Sequence, residues 1–195
     1  MTRIADLIFS LLFILLFSPF FILLALWIRL DSKGPVIYKQ KRVGRYGRDF
    51  MLYKFRSMRV GADKDSLLTL SETDSRITRP GAFIRRYKLD ELPQLINVLK
   101  GDMSLVGPRP EVRKYVDLYT EQQKAVLNIR PGITDIASVI YSNESSILEA
   151  QKEPEQYYIE QIMPDKIRLN MVYISDPSFG NYCRILWKTV KVLLR

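Results

Sequence analysis

The distribution of apolar side chains divides the chain into two unlike parts. Residues 7–28 carry no charge, whereas from Gly34 onward apolar and polar positions mix in short runs. As one helix the uncharged segment is about 33 Å long, enough to cross the roughly 30 Å hydrocarbon core of a bilayer. It is too long for a signal-peptide core and has no small-x-small cleavage site. The pattern therefore predicts a retained membrane anchor at residues 1–33 and a separate domain at residues 34–195.

Ser18 and Pro19 interrupt the anchor near its middle. Pro19 has no N–H and crowds the carbonyl of Leu15, which bends a helix, while the Ser18 hydroxyl can bond the freed carbonyl. Two paths are open: a kinked helix across the bilayer, or two arms that enter and leave through one leaflet. Because proline kinks are common in spanning helices, these residues alone favour spanning. The lysines and arginines that follow Ile28 put the second part in the cytoplasm on either path.

The second part begins with short strands. Alternation predicts strands at residues 36–40 and 50–58, joined by a basic turn that contains glycine, and a third at residues 104–106. In the second strand three alternate positions are expected to face a core: Met51, Tyr53 and Phe55. Lys54 and Arg56 then point outward, and a solvated strand face explains them in isolation.

Polar and helical patterns fill the remainder. Residues 61–74 are polar and predict a loop, residues 112–119 have helical spacing, and Pro164 and Asp176 indicate two further helix starts. In the last helix the cations form one stripe of Arg184, Lys188, Lys191 and Arg195. This helix either lies on an anionic membrane surface or packs on the core with a solvated face. The fold class predicted is α/β, rich in helix and with short strands.

The composition narrows the chemistry. A formal net charge of +9 favours anionic partners: phosphates, nucleic acid or an acidic membrane face. The chain has no histidine, which excludes the commonest general base and the commonest transition-metal ligand. Polar chemistry must rest on carboxylates, hydroxyls, Lys and Arg, with a hard cation such as Mg²⁺ if a metal is used. Cys183 is the only cysteine, which excludes an intramolecular disulfide and favours a reducing compartment.

Asp90 and Glu91 are the candidate centre of that chemistry. They precede an apolar helical pattern, and on local pattern alone acids in a first turn cap free N–H groups and suit the helix dipole. The alternative is catalytic, since a carboxylate can be phosphorylated and a neighbouring one can hold Mg²⁺ with substrate phosphates. A basic cluster that includes Arg85 directly precedes the pair. Arg109, fixed between two prolines, aims its guanidinium either into a structural salt bridge or onto a phosphate.

Several ordered motifs resemble those of the bacterial sugar transferases known as monotopic phosphoglycosyl transferases. They are Ser-Pro at residues 18–19, Gly-Pro-Val at 34–36, Arg-Val-Gly at 42–44, Tyr-Lys-Phe-Arg-Ser-Met at 53–58, Leu-Asp-Glu-Leu-Pro-Gln at 89–94, Asn-Val-Leu-Lys-Gly-Asp-Met-Ser at 97–104, Gly-Pro-Arg-Pro at 107–110 and Arg-Pro-Gly-Ile-Thr at 130–134. Each motif alone is a weak signal, and their order and spacing together make a strong one. The likeness covers the whole chain, which is similar to the minimal, single-domain form.

The resemblance implies an activity and a location. It implies a re-entrant helix broken at Ser18 and Pro19 and confined to one leaflet, against the preference for spanning. Amphipathic interfacial helices would surround a small catalytic domain on the cytoplasmic face of the bacterial inner membrane. The implied reaction transfers a phospho-sugar from a UDP-sugar to a polyprenyl (undecaprenyl) phosphate, uses Mg²⁺ and releases UMP, and it initiates glycoconjugate assembly.

The resemblance also assigns roles to residues. Asp90 would be the nucleophile that forms a covalent phosphosugar intermediate, and Glu91, together with Asp90, would hold the metal. Four cations are then suited to neutralise charge on the transferring phosphoryl group. They are Lys54, Arg56, Arg85 and Arg109. Two alternatives stay open: a glycosyl transferase that releases UDP, and a membrane-tethered adaptor for anionic lipid in which Asp90 is only a cap. A homo-oligomer is left open, and no recognised motif supports nucleic-acid binding.

The chain departs from the family pattern after Thr134. The family often continues with Gly, whereas this chain has Asp135, and an arginine of many members falls on Ser142. A family acid in a later helix falls near Asn170. Because the acidic pair is intact, we expect a subfamily with different sugar or nucleotide contacts rather than a loss of activity.

Overall fold

The computed structural model describes residues 2–62 and 74–193, and its first element is one long helix. This helix, α1, covers Thr2–Asp31 and continues through Pro19. The Ser18 hydroxyl donates to the Leu15 carbonyl at 2.9 Å, which confirms the predicted replacement for the N–H that Pro19 lacks. In the part of the chain that the structure describes, α1 alone is long and apolar enough to cross a membrane. Its path in a membrane, and the division at residue 33, stay predictions.

Both ends of α1 are attached to the rest of the protein. Near its start, buried Asp6 accepts hydrogen bonds from the Ser104 hydroxyl at 2.8 Å and from the Tyr182 hydroxyl at 2.9 Å. Near its end, Leu24 and Ile28 are buried. No residue between positions 11 and 20 is buried. The helix is therefore held at two points and exposes its apolar middle.

The first two strands form an antiparallel hairpin. Strand β1 covers Ile37–Val43, against the predicted 36–40, and β2 covers Asp49–Phe55, against the predicted 50–58, so both strands are present with shifted ends. They pair from Ile37 with Phe55 to Val43 with Asp49. The predicted turn between them is confirmed, as a short 3-10 turn at Arg45–Gly47.

The prediction that Met51 faces a core is wrong. On one face of β2, Leu52 packs against Val98 and Met103, and on the other Phe55 is covered by α1. Met51 shares the face of Phe55 but is not among the residues that pack with α1 there, and 42% of it is exposed. Lys54 lies on the face of Leu52.

A second, parallel pair of strands follows two helices. Helix α2 covers Arg79–Arg86, α3 covers Gln94–Lys100, β3 covers Ser104–Val106, and β4 covers Gly132–Thr134. The prediction of β3 is confirmed. A Cβ atom on Gly132 would lie 2.1 Å from the Gly107 nitrogen, so the two backbones approach closely because neither residue has a side chain.

The C-terminal part is helical. The short helices are α4 at Arg113–Val116, α5 at Ile136–Ile140, α6 at Glu144–Glu149 and α7 at Pro154–Tyr157, and a 3-10 turn occupies Gln123–Asn128. A π-helical turn at Tyr158–Ile162 joins α7 to α8 at Met163–Ser175, and α9 covers Phe179–Leu193.

The structure tests three helix predictions, and their outcomes differ from one another. The helix predicted over residues 112–119 is a single turn, α4. The predicted start at Pro164 is confirmed by α8, which begins at Met163 and directly follows the π turn. The start near Asp176 is confirmed by α9, which buries Tyr182 and Ile185 and leaves 61% of Trp187 exposed. The predicted loop falls mostly on residues 63–73, outside the described residues, as does Arg195 of the basic stripe.

Candidate active site

A tight turn between α2 and α3 presents the acidic pair. Lys88 adopts left-handed backbone angles (φ 55°), and a 3-10 turn at Leu89–Glu91 follows. Only 7% of Asp90 is exposed. The interpretation of the pair as a helix cap is wrong for the described residues, because no backbone N–H among them donates to either carboxylate.

Glu91 is held by two cations from different elements. Lys54, on β2, donates to Glu91 Oε1 at 2.9 Å. Arg109, in the loop after β3, donates through Nη1 to Oε2 at 3.2 Å and through Nη2 to Oε1. This side-by-side contact uses the planar fork that distinguishes arginine from lysine.

The charges around Glu91 fix its ionisation. Burial by itself raises the pKa of Glu91, but the Arg109 and Lys54 charges outweigh it and hold the pKa well below its usual range. Glu91 in turn raises the pKa of Arg109. The predicted alternatives for Arg109 therefore resolve into an ion pair in this structure.

Asp90 has a different environment from its neighbour. Its Oδ2 lies 3.8 Å from Lys54 Nζ, and its carboxylate accepts no hydrogen bond from the described residues. Burial raises its pKa, more than the Lys54 charge lowers it. Glu91 is thus held by two cations, whereas the oxygen lone pairs of Asp90 are available to an incoming group.

The pair lies in a cleft of about 620 Å³. The described lining has seven cationic and four acidic side chains. The cations are Arg42, Lys54, Arg85, Arg86, Lys88, Arg109 and Lys166. Such a cleft attracts a ligand with several negative charges.

The structure brings five of the six predicted site residues together. Lys54, Arg85 and Arg109 line the cleft with the acidic pair. Arg56 does not, because β2 ends at Phe55 and the guanidinium turns toward the end of α1.

Arg56 binds carbonyls at the C-terminal end of α1 and in the two residues that follow the helix. It donates to the carbonyls of Ile28 at 3.2 Å, Ser32 at 2.7 Å and Lys33 at 2.9 Å. Only 4% of Arg56 is exposed, and burial lowers its pKa. The last carbonyls of a helix have no partners within it, so Arg56 satisfies them and favours the negative end of the helix dipole. In this arrangement Arg56 lies away from the cleft, and its contact with substrate stays a prediction.

Sequence reasoning missed a polar network deeper in the cleft. The Tyr158 hydroxyl donates to Glu111, which lies 3.6 Å from Arg42. Lys166 donates to Glu144 at 2.8 Å. The signal for Tyr158 was weak, since π turns have no simple sequence pattern, although they are frequent at functional sites.

The departures after Thr134 also lie at or beside the cleft. Ser142 lines it. Buried Asp135 accepts a hydrogen bond from Asn170 Nδ2 at 2.8 Å, so two of the departures are in contact.

The donor set suits Mg²⁺ only with help from a ligand. The described residues contain no cluster of three acidic, histidine or cysteine side chains that could hold a metal. Two adjacent carboxylates are enough for Mg²⁺, which commonly takes its other ligands from phosphates and water. Asp90 and Glu91 fit such a shared site, with Asp90 the freer of the two.

Comparison with known proteins agrees with the motifs. The family model described as "Bacterial sugar transferase" matches residues 1–195. The chain is 41% identical over 160 residues to the UDP-N-acetylgalactosamine-undecaprenyl-phosphate N-acetylgalactosaminephosphotransferase of Aeromonas hydrophila, covering 80% of this chain and 38% of that protein. It is 36% identical over 192 residues to the UDP-glucose:undecaprenyl-phosphate glucose-1-phosphate transferase of Klebsiella pneumoniae, covering 96% of this chain and 39% of that protein. A putative undecaprenyl-phosphate N-acetylgalactosaminyl 1-phosphate transferase of Bacillus subtilis is 50% identical over 109 residues, covering 56% of this chain and 61% of that protein.

Proposed function

Because the chain belongs to the bacterial sugar transferase family, we propose that it transfers a sugar 1-phosphate from a UDP-sugar to undecaprenyl phosphate and releases UMP. The observation that carries the proposal is the contrast within the acidic pair. Glu91 is neutralised by Lys54 and Arg109, whereas buried Asp90 accepts no hydrogen bond from the described residues and faces a basic cleft.

The reaction runs in two displacements at one phosphorus atom. An Asp90 carboxylate oxygen attacks the phosphorus that bears the sugar, the bond to the UMP oxygen breaks, and UMP leaves with the electron pair. A phosphate oxygen of the acceptor lipid then attacks the same phosphorus, and the bond to Asp90 breaks. The carboxylate is regenerated, and splitting the exchange in this way replaces one hard step by two easier ones.

The cations stabilise the charge that moves through the cleft. Lys54 lies within 3.8 Å of both acids and is placed to follow charge from Asp90 to the phosphoryl oxygens. Arg109 keeps Glu91 ionised. Arg85, which precedes the acidic pair in the chain, adds positive charge to the lining of the cleft. Mg²⁺, held by Glu91 and Asp90, would supply further neutralisation of the diphosphate.

The attachment of α1 supports a location on one leaflet. Asp6 near its start and the Ile28 carbonyl near its end both bind residues of the part of the chain that follows α1. A spanning helix would place its two ends on opposite sides of the roughly 30 Å core of the bilayer. A helix whose exposed middle dips into the cytoplasmic leaflet satisfies both attachments and brings the acceptor lipid to the cleft.

Nucleotide release tests the proposal. The detergent-solubilised protein is assayed with Mg²⁺, undecaprenyl phosphate and a panel of UDP-sugars, and UMP and UDP are separated. We expect UMP with one or a few sugars, and sustained release only with lipid. UDP release would instead indicate transfer of the sugar alone. If neither nucleotide appears with any donor, the result would favour the alternative of a membrane-tethered adaptor for anionic lipid.

A mass measurement tests the covalent step. With donor and no lipid, the intact chain should gain the mass of one phosphosugar, and the modified peptide should contain Asp90. The matched control is Asp90→Asn, which removes the attacking oxygen's charge and should show no adduct.

A further inference from the structure

Asp135 is a buried carboxylate whose position the reaction scheme does not yet explain. Only 1% of it is exposed, and it forms no ion pair with any described residue. Three N–H groups compensate its charge instead: the backbone N–H of Arg109 at 2.9 Å, Asn170 Nδ2 at 2.8 Å and the backbone N–H of Ser138. Burying a carboxylate costs free energy of folding unless hydrogen bonds compensate its charge. Three donors converge on Asp135, which suggests that it has a specific role.

The contact with Arg109 has a special weight in the chain. Pro108 and Pro110 flank Arg109, and neither has a backbone N–H. The N–H of Arg109 is thus the one backbone donor of this tripeptide, and it donates to Asp135. The neighbouring backbone is fixed as well, since Gly107 N donates to the Thr134 carbonyl at 3.0 Å and Gly132 N donates to the Pro108 carbonyl at 2.9 Å.

We propose that Asp135 is a positioning residue for the transfer reaction, which fixes the backbone of Arg109 so that its guanidinium meets Glu91 side by side. The inference rests on the proposed function. Asp135 would act through two successive contacts: its carboxylate binds the backbone of Arg109, and the Arg109 side chain binds Glu91, the neighbour of the proposed nucleophile Asp90. Asp135 itself does not touch the substrate.

Asp135 has a second role from which positioning must be separated. Its side chain accepts from Ser138 N and so caps α5, and its bond to Asn170 ties α5 to α8. Asp135→Ser separates these functions, because serine is a good N-cap but is too short to reach Arg109. Asn170→Ala is the matched control, since it removes the bond to α8 and leaves the Arg109 contact in place.

The test combines kinetics with hydrogen exchange at one amide. We expect Asp135→Ser to lower kcat by about 100-fold, the scale of a small misplacement in an active site, with KM for the UDP-sugar changed less than about threefold. Exchange of the Arg109 amide, read in a fragment spanning the two prolines, should become about tenfold faster. Asn170→Ala should change kcat by a few-fold at most and leave that amide protected.

Other outcomes overturn the inference. If both variants lose activity in proportion to their melting temperatures, Asp135 is structural only. If Arg109 exchanges faster in Asp135→Ser while kcat stays within about threefold, the orientation of Arg109 does not matter for transfer. Should Asp135→Ser fail to fold, Asp135→Asn keeps the shape and has one acceptor oxygen for three donors, and an unchanged kcat together with faster exchange of the Arg109 amide would overturn the proposal. A silent wild-type protein would refute the proposed function instead, and the exchange readout would still decide whether Asp135 holds Arg109.

Discussion

Arg109 meets Glu91 with both of its terminal nitrogens, one on each carboxylate oxygen. A contact of this kind fixes the plane of the carboxylate as well as its distance, which a single point charge does not do. The acid that precedes α3 therefore has one orientation, and the acid beside it is presented to the cleft by the same turn.

Arg109→Lys should lower activity although it keeps the charge. Lysine cannot reproduce the fork, so the Glu91 carboxylate loses its fixed plane, and we expect kcat to fall by about 100-fold. The measurement is UMP release at saturating donor and lipid. Arg113→Lys is the matched control, because Arg113 is more exposed and pairs with Asp49 away from the cleft. Equal effects of the two substitutions would contradict the role given to the fork.

Asp90→Asn and Glu91→Gln should separate activity from stability. Asp90→Asn should abolish turnover and leave the melting temperature unchanged or higher, because burial already disfavours its charge and no hydrogen bond is lost. Glu91→Gln leaves Lys54 and Arg109 without their anion, so we expect a loss of about 3 kcal/mol in unfolding free energy. Thermal melts and UMP release are measured on the same preparations. Retained turnover in Asp90→Asn would place the nucleophile elsewhere.

The path of α1 can be tested by cysteine labelling from each side of the membrane. In a Cys183→Ser background, the variants Thr2→Cys and Asp31→Cys place one thiol at each end of the helix. Because both ends contact the polar domain, we expect an impermeant maleimide to modify both thiols from the cytoplasmic side only. Reaction at position 2 from the opposite side would show that the helix spans the bilayer.

Arg56→Met should loosen the junction between α1 and the polar domain. It removes the donors for three carbonyls at the helix end but keeps much of the apolar stem, so we expect a loss on the order of 3 kcal/mol. Protease digestion near residue 33 and the melting temperature report the change. Lys41→Met, at an exposed side chain, is the control. Turnover per folded molecule should be preserved, and a selective loss of donor binding would return Arg56 to the substrate site.

Sequence reasoning brought together residues that the structure places in one cleft. Asp90, Lys54 and Arg109 were chosen from carboxylate chemistry, charge and motif order, which are properties of the residues themselves, and their roles in catalysis stay predictions. Arg56 was grouped with them, yet the structure places it outside the cleft, bound to carbonyls more than twenty residues away in sequence, and no local pattern records such a contact. Alternation also failed at Met51, since it predicts two faces but not how far a helix covers each one.

The contacts of Asp135 were beyond sequence reasoning for a similar reason. Asp135 was noticed only as a departure, yet its carboxylate joins a loop, a short helix and a long one. Such a residue is recognisable once three donors are seen to converge on it. In the sequence it is one acid after a threonine.

The two attachments of α1 also limit how the rest of the protein can move relative to that helix. A rigid body held at two separated points keeps one rotation, about the line that joins them, and loses the others. On the one-leaflet path proposed above, the protein could roll about the axis of α1 but could not tip its cleft away from the lipid surface. The exposed Trp187 on α9 is placed to resist that roll if it enters the headgroup layer. On that path the acceptor lipid would reach the cleft by diffusion in the plane of the membrane, and the nucleotide would arrive from solution at a cleft held at constant height.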